Sequence, residues 1–356
     1  MRFRKILITG GAGFVGSSLA VRFKQFSSDI EVIAFDNLKR RGSEWNLARI
    51  KQHGAKFIHG DIRNAEDLDL VGKVDLIIDC AAEPSVHAGT DGRPAQVINT
   101  NLNGTINCLD FAHQNDAAFL FLSTSRVYPI EKLNAMPFVE METRFEWTSN
   151  DEPGFSPNGI TEHFTLDGAR SFYGSSKLAS ELLIREYAYN YQLPGLINRC
   201  GILTGPWQMG KVDQGVVMLW VARHLMNQPL TYMGFGGKGK QVRDMLHVDD
   251  LFELLIRQMK EISAWQGDVF QVGGGRKISA SLQELTTICQ EVTGQKVEIG
   301  QQPVTNPVDL RIFLADCDTT QVRFGWKPQK NVVTIVSEIS TWIQENLEQV
   351  RSVMLA

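Results

Sequence analysis

Six continuous apolar runs, KILIT, EVIAF, KFIHG, VDLIID, AFLFLS and LPGLIN, occur in the first two hundred residues, and each precedes a stretch long enough for a helix. They do not alternate apolar with polar residues, so both faces of each strand must be covered. A chain that alternates such strands with helices satisfies that demand as a parallel sheet wound on both faces. The expected fold is therefore α/β, a Rossmann-type doubly wound parallel sheet.

From about Gly201 the alternation stops, and glycine-rich stretches (MGFGGKGKQ, QVGGGRK) separate shorter elements. A smaller α/β lobe on the C-terminal side is implied. Val332, Ile335, Val336, Ile339, Ile343 and Leu347 then recur at helical spacing near the end of the chain. With no repeat and no clean linker, the chain is expected to cross between lobes more than once. The division expected is 1–198 plus about 240–275 for a nucleotide-binding domain, and about 199–239 plus 276–356 for a substrate-binding lobe.

The first strand runs directly into glycines three apart, Gly10, Gly13 and Gly16, followed by FVGSSLAVRFKQF. Strand, tight glycine turn and helix is the arrangement that seats a dinucleotide pyrophosphate on a helix N-terminus. Asp36 ends the second run, where a carboxylate accepts hydrogen bonds from the ribose hydroxyls and repels a 2′-phosphate. This favours NAD over NADP, against the opposing charge of Lys39, Arg40 and Arg41. Asp61 follows the third run, either at the adenine edge or as a helix N-cap.

Tyr173 and Lys177 stand four apart at the head of an amphipathic helix, so both project from one face. A free tyrosine ionises near pH 10. A neighbouring ammonium favours the phenolate and makes the pair a usable general base. Thr124 ends the fifth run, at the carboxyl edge of the sheet where ligands bind.

The balance of 36 Lys and Arg against 40 Asp and Glu gives a formal net charge of -4, with no basic tract to follow a nucleic acid. No apolar run is long enough to span a bilayer. The 5 cysteines are widely spaced and never in a CxxC pair, and the 7 histidines show no ligand spacing, so neither disulfide framework nor metal site is expected. A cytoplasmic protein with reduced thiols is the expectation.

Together the glycine motif, Asp36, Thr124 and the Tyr173/Lys177 pair resemble the extended short-chain dehydrogenase/reductase family, which acts on nucleotide-diphosphate sugars. DNLKRRGSEWNL, GDIRN, NTNLNGT, GPWQMGKVDQGVV, GKGKQVRDMLHVDDL and VDLRIFLADCDTTQVRFGWKP stand in that family's order. KVDQG, GKQVRDMLH and DLRIFLAD are most similar to its branch of CDP-tyvelose/CDP-paratose 2-epimerases.

The resemblance implies Thr124, Tyr173 and Lys177 as catalytic residues. It implies tightly held, recycled NAD contacted by Gly10, Gly13, Phe14, Val15, Gly16, Asp36, Asn37, Asp61, Ile62, Ala81 and Asn101, together with Tyr173 and Lys177. Arg243 matches the arginine that holds the substrate diphosphate, and Thr124, Gln214, Gln241 and Arg311 are further substrate-binding candidates. A homodimer or homotetramer is implied as well.

Several positions depart from relatives within that family. Dehydratases follow the threonine with Asp and Glu, because elimination of water needs an acid for the leaving hydroxyl; here stand Ser125 and Arg126. An arginine stays charged at neutral pH and does not serve as that acid. The asparagine that 4-epimerases place after the sixth strand is Ile202, and their phosphate arginine is Asn306. The expected activity is a redox-neutral epimerase acting on a CDP-sugar, with a 4-epimerase, a dehydrogenase or a non-catalytic NAD-binding protein as the alternatives. The long segment from Ile130 to Arg170 is expected to be a loop that covers substrate.

Overall fold

A computed structural model describes residues 3–90, 92–149, 151–209 and 215–354. Strands β1 (Lys5–Thr9), β2 (Glu31–Asp36), β3 (Lys56–His59), β4 (Leu76–Asp79) and β5 (Ala118–Thr124) join Gly195–Cys200 and Gln266–Val272 in one seven-stranded sheet. The order from edge to edge is β3, β2, β1, β4, β5, Gly195–Cys200, Gln266–Val272. β1 is parallel to both neighbours, with Ile8 opposite Ala34 on β2 and Ile78 on β4. Chain progression reverses between β1 and β4, which marks the switch point beyond whose strand ends ligands bind.

Cover explains the apolar runs of the central strands, whereas edge strand β3 has no buried residue. Every residue of β4 and β5 is buried. Leu7, Ile33, Ile77, Phe119, Phe121 and Ile197 of the sheet share one core with Leu109, Phe111 and Ile184 of the flanking helices. Each such side chain contributes about 1.5–3 kcal/mol when fully buried.

Two helices position the candidate site. Helix α1 (Phe14–Phe26) begins at Gly13, whose backbone is extended, and buries Leu19, Ala20, Val21 and Phe23. Helix Phe172–Tyr191 begins at Ser171, whose hydroxyl accepts from Gly174 N at 3.1 Å, and ends at Gln192 in the left-handed region.

The chain gathers into two compact units, each built from three stretches. One comprises Met1–Val127, Ser171–Arg199 and Leu251–Phe270; the other comprises Tyr128–Arg170, Cys200–Asp250 and Gln271–Ala356. The expected division put 128–170 and 240–250 with the sheet, whereas both stretches pack within the second unit, which takes about half of the chain.

In that unit Val242–His247 pairs in parallel with Ile202–Thr204 and Ile312–Phe313, and antiparallel with Ser279–Ser281. Helices Val216–Leu225, Leu282–Thr293 and Val332–Glu345 close a core of Val217, Met218, Val221, Leu285, Ile335, Ile339 and Ile343. The apolar period read through Leu347 belongs to two helices, because the first ends at Asn346 and Leu347–Met354 starts another.

The 130–170 stretch is not the structureless loop its sequence suggested. It contains a helix, Ile130–Ala135, and two small antiparallel pairs, Phe138–Glu140 with Phe145–Trp147 and Phe155–Ser156 with Gly159–Ile160. Distant partners hold it. Arg144 reaches Glu284 at 3.4 Å and Ser279 Oγ at 3.0 Å, Arg276 pairs with Glu146, and Phe145 N donates to Lys240 O at 2.9 Å.

Candidate active site

The glycines of the first turn do different jobs. Gly10 has φ +60°, in the left-handed region, and a Cβ there would lie 2.9 Å from Ala81. A Cβ on Gly16 would lie 2.3 Å from Gly10 O, so this glycine is what lets α1 pack onto the turn. At Gly13 the one near neighbour of a Cβ is Gly10 O at 3.1 Å, and no side chain caps the helix there. Gly13 therefore leaves the first N–H groups of α1, at Phe14 and Val15, approachable by a phosphate.

Sequence reasoning missed two supports of this turn. A Cβ on Gly11 would lie 2.5 Å from Ala34 Cα, and buried Asn46 donates Nδ2 to Ala12 O at 2.9 Å. The doublet Gly10–Gly11 was a visible signal; Asn46 offered none.

Asp36 ends β2 and accepts from Ala12 N at 3.1 Å and Leu38 N at 2.7 Å. Burial pushes its carboxyl above the usual range. With Gly13 as a further backbone donor, the carboxylate still keeps a lone pair for a ribose hydroxyl. Asn37 donates Nδ2 to Asp61 at 2.8 Å, and Arg63 forks onto the same carboxylate. These hydrogen bonds, led by that from Arg63, hold Asp61 below the ordinary carboxylate range. Asp61 is not a helix cap, since the next helix, Ala65–Asp69, starts from Asn64.

Ile62 is buried against Gly104, where a Cβ would lie 2.4 Å from its Cδ1. Ala81 N is within 3.3 Å of both Thr9 Oγ1 and Asp79 Oδ1, beneath the glycine turn. Asn101 lies in a short π-helical stretch, Asn99–Asn103, a bulge often found at functional sites. Its Oδ1 accepts from Glu83 N at 2.7 Å and its Nδ2 donates to Ser176 Oγ at 3.2 Å. Asn101 thus ties the segment after β4 to the first turns of helix Phe172–Tyr191.

On that helix Tyr173 is half-buried and Lys177 is buried, with Nζ 3.7 Å from the centre of the Phe121 ring on β5. Thr124 ends β5, and its Oγ1 accepts from Arg126 N at 3.2 Å. The turn Ser125–Val127 after Thr124 packs against the same helix. The three candidate catalytic residues thus lie on β5 and on the helix packed over it.

In the second unit the structure brings Arg243 and Arg311 side by side. Arg243 reaches Leu310 O at 2.5 Å and Arg311 O at 3.5 Å, while Arg311 donates to Asn134 O at 2.7 Å. The Arg311 guanidinium lies 3.9 Å from the Phe138 ring, 5.3 Å from Phe235 and 5.8 Å from Phe145. Burial lowers its pKa. Gln241, two residues before Arg243, donates to Met233 O at 2.9 Å and leaves its buried Oε1 unpaired. Gln214 lies outside the described residues.

Among the described residues His247, Asp249 and Glu338 bring ligand-type atoms within 4.8 Å of one another. An ammonium serves that cluster: Lys330 Nζ lies 3.0 Å from Asp249 and 2.6 Å from Glu338. Asp249 N donates to His247 Nδ1 at 3.1 Å, which places the ring proton on Nε2, 3.2 Å from Glu338. No helix among the described residues is long and apolar enough to cross a membrane.

The profile of the NAD dependent epimerase/dehydratase family matches residues 6–273. The chain belongs to that family. Among its relatives, CDP-paratose 2-epimerase of Salmonella typhi is 32% identical over 349 residues, covering 95% of this chain and 98% of that protein. The dTDP-glucose 4,6-dehydratase of Salmonella typhimurium is 26% identical over 363 residues, covering 98% and 95% respectively. A solved dTDP-glucose 4,6-dehydratase of Bacillus anthracis in complex with NAD superposes with a TM-score of 0.74 at 25% identity, covering 98% of this chain and 99% of that one.

As a member of the epimerase/dehydratase family the protein is an enzyme that uses NAD. The residues present fit that cofactor: the space over Gly13, the α1 N-terminus without a side-chain cap, and the carboxylate of Asp36 at the end of β2.

Proposed function

We propose that the protein is a CDP-sugar 2-epimerase of the CDP-paratose/CDP-tyvelose type. The observation that carries this reading is the identity of the two residues after Thr124. Ser125 and Arg126 occupy the positions where elimination of water needs carboxyl acids, so the residues suit reversible oxidation at a ring carbon without dehydration. The similarity to CDP-paratose 2-epimerase over 95% of the chain supports the choice of sugar nucleotide.

In this reading Gly10, Gly13, Phe14, Val15 and Gly16 hold the pyrophosphate of NAD, while Asp36, Asn37, Asp61, Ile62, Ala81 and Asn101 line its adenosine and nicotinamide halves. When bound, NAD would supply a reversible hydride acceptor for a ring carbon, which with loss of the hydroxyl proton to Tyr173 would let the sugar pass through a planar ketone with no net oxidation. Tyr173, as phenolate, takes the proton of the C2 hydroxyl and gives it back. Lys177 holds the cofactor ribose and keeps Tyr173 ionised. Thr124 orients the reacting hydroxyl.

Arg243 and Arg311 receive the diphosphate. The partners described above for their guanidinium groups are carbonyl oxygens and aromatic faces, which orient the forks without cancelling their charge. Gln241 and Gln214 complete the substrate contacts. The exposed Leu182, Tyr189 and Tyr191 of helix Phe172–Tyr191 are assigned to pairing with a second copy, in a homodimer or homotetramer. A cytoplasmic location belongs to the same reading.

The test is incubation with CDP-paratose or CDP-tyvelose, following sugar protons by NMR and NADH by absorbance. Interconversion without lasting NADH supports the proposal. Conversion that leaves NADH behind identifies a dehydrogenase instead, and no conversion with NAD supplied removes the substrate assignment.

A further inference from the structure

Arg311 is a half-buried cation held by neutral groups. Its Nη1 donates to Asn134 O at 2.7 Å, and the guanidinium lies 3.9 Å from the centre of the Phe138 ring, 5.3 Å from Phe235 and 5.8 Å from Phe145. Among the described residues no carboxylate pairs with it, and burial lowers its pKa. A guanidinium carries five N–H donors, and aromatic faces attract the cation by their quadrupole rather than by cancelling its charge. With one donor on Asn134 O, the others are left for an anion.

The holders come from far along the chain. Asn134, on helix Ile130–Ala135, accepts from Arg311 N through Oδ1 at 2.8 Å and donates Nδ2 to Asp309 O at 2.9 Å. One residue thus fixes the main chain of Arg311 as well as its guanidinium. Phe138 and Phe145 sit on paired strands and meet edge to face at 5.4 Å, and Phe145 meets Phe235 edge to face at 6.4 Å. Such contacts set the rings' orientation to one another. Helix Ile130–Ala135 and strand Phe145–Trp147 both pack on Ile312–Phe313, which follows Arg311 directly. Stability alone does not explain this arrangement, because an apolar side chain would fill a three-ring cluster without desolvating a charge.

We propose that Asn134 and Phe138 are positioning residues that, with Phe145 and Phe235, hold the Arg311 guanidinium at full charge for the diphosphate of the substrate. The inference rests on Arg311 receiving that diphosphate. It gives the 130–170 stretch a part in substrate affinity that is exerted through Arg311.

The experiment is calorimetric titration of the NAD-loaded protein with CDP, with steady-state kinetics beside it. Phe138→Leu and Asn134→Ala are each expected to weaken CDP about five-fold, the scale of one cation–π contact or hydrogen bond, and to raise KM without lowering kcat. Phe138→Tyr keeps an aromatic face and is expected to bind CDP as the unmodified protein does. In an Arg311→Met background neither Phe138→Leu nor Asn134→Ala should weaken CDP further, which separates positioning of Arg311 from a general loosening of the fold. Phe138 is 38% exposed, so Phe138→Leu carries the test alone if Asn134→Ala does not fold.

The inference is overturned if Phe138→Leu binds CDP as tightly as the unmodified protein while Arg311→Met does not, or if Phe138→Leu loses the same affinity with and without Arg311. Full CDP affinity in Arg311→Met, or no binding of CDP by the unmodified protein, removes the premise and the inference with it.

Discussion

Adding one methyl group at Gly13 or at Gly16 should separate cofactor binding from folding. At Gly16 an alanine Cβ would lie 2.3 Å from Gly10 O, and the atom in the way is backbone that no side-chain rotation moves. Relief requires displacing α1 or the turn. Overpacking of this kind costs about 1–3 kcal/mol, which outweighs the gain of about 1 kcal/mol from exchanging glycine for alanine in a helix. Gly16→Ala is therefore expected to lower the unfolding temperature.

At Gly13 the backbone is already extended and the Cβ would meet Gly10 O at 3.1 Å, so the fold tolerates the change apart from about 1 kcal/mol of capping preference. The new methyl group stands where the pyrophosphate must approach the α1 N–H groups. NAD affinity should fall at least ten-fold, which is about 1.4 kcal/mol. Calorimetric NAD titration beside thermal unfolding reads both effects. The reasoning is refuted if Gly13→Ala binds NAD as tightly as the unmodified protein, or if Gly16→Ala loses no stability.

Three further outcomes are expected at other residues. Tyr173→Phe should reduce turnover by about 10²–10⁴ in steady-state kinetics, the range for removing a general base; full activity would remove that role. Arg243→Lys and Arg311→Met should each raise KM by about ten- to a hundred-fold, from about 1.5–3 kcal/mol per hydrogen bond to a charged group; unchanged KM in steady-state kinetics would remove the diphosphate assignment. Asp244 is buried, accepts from Gly275 N at 3.2 Å, and burial pushes its carboxyl up to about 6. Because its folded value exceeds its unfolded one, its stabilising contribution is complete below about pH 4 and is lost as pH rises through about 6, amounting to at most about 3 kcal/mol. Urea midpoints measured from pH 4 to pH 7 should show a falling component that Asp244→Asn abolishes.

The parts of the fold that were legible are those whose residues answer to local demands. β4 and β5 read as strands because burial on both faces leaves no polar position in Leu76–Ile78 or Ala118–Leu122. Tyr173, Lys177, Asp36 and the glycine spacing were legible because each is a short-range pattern at an element boundary. The 130–170 stretch was illegible because its order comes from Arg144 meeting Glu284 and Arg276 meeting Glu146, partners more than a hundred residues away. Arg243 and Arg311 lie on stretches distant in sequence that the pairing of Val242–His247 with Ile312–Phe313 brings together.

The central claim is that the configuration at C2 inverts through transient oxidation of that carbon, with Tyr173 moving the hydroxyl proton. It is tested most directly with CDP-paratose carrying deuterium at C2, converted in ordinary water and read by NMR and mass spectrometry. The account predicts CDP-tyvelose that retains the deuterium at C2, with none released to solvent and no NADH accumulated. Exchange of the label with water during inversion would show that the carbon loses a proton rather than a hydride, and would contradict it.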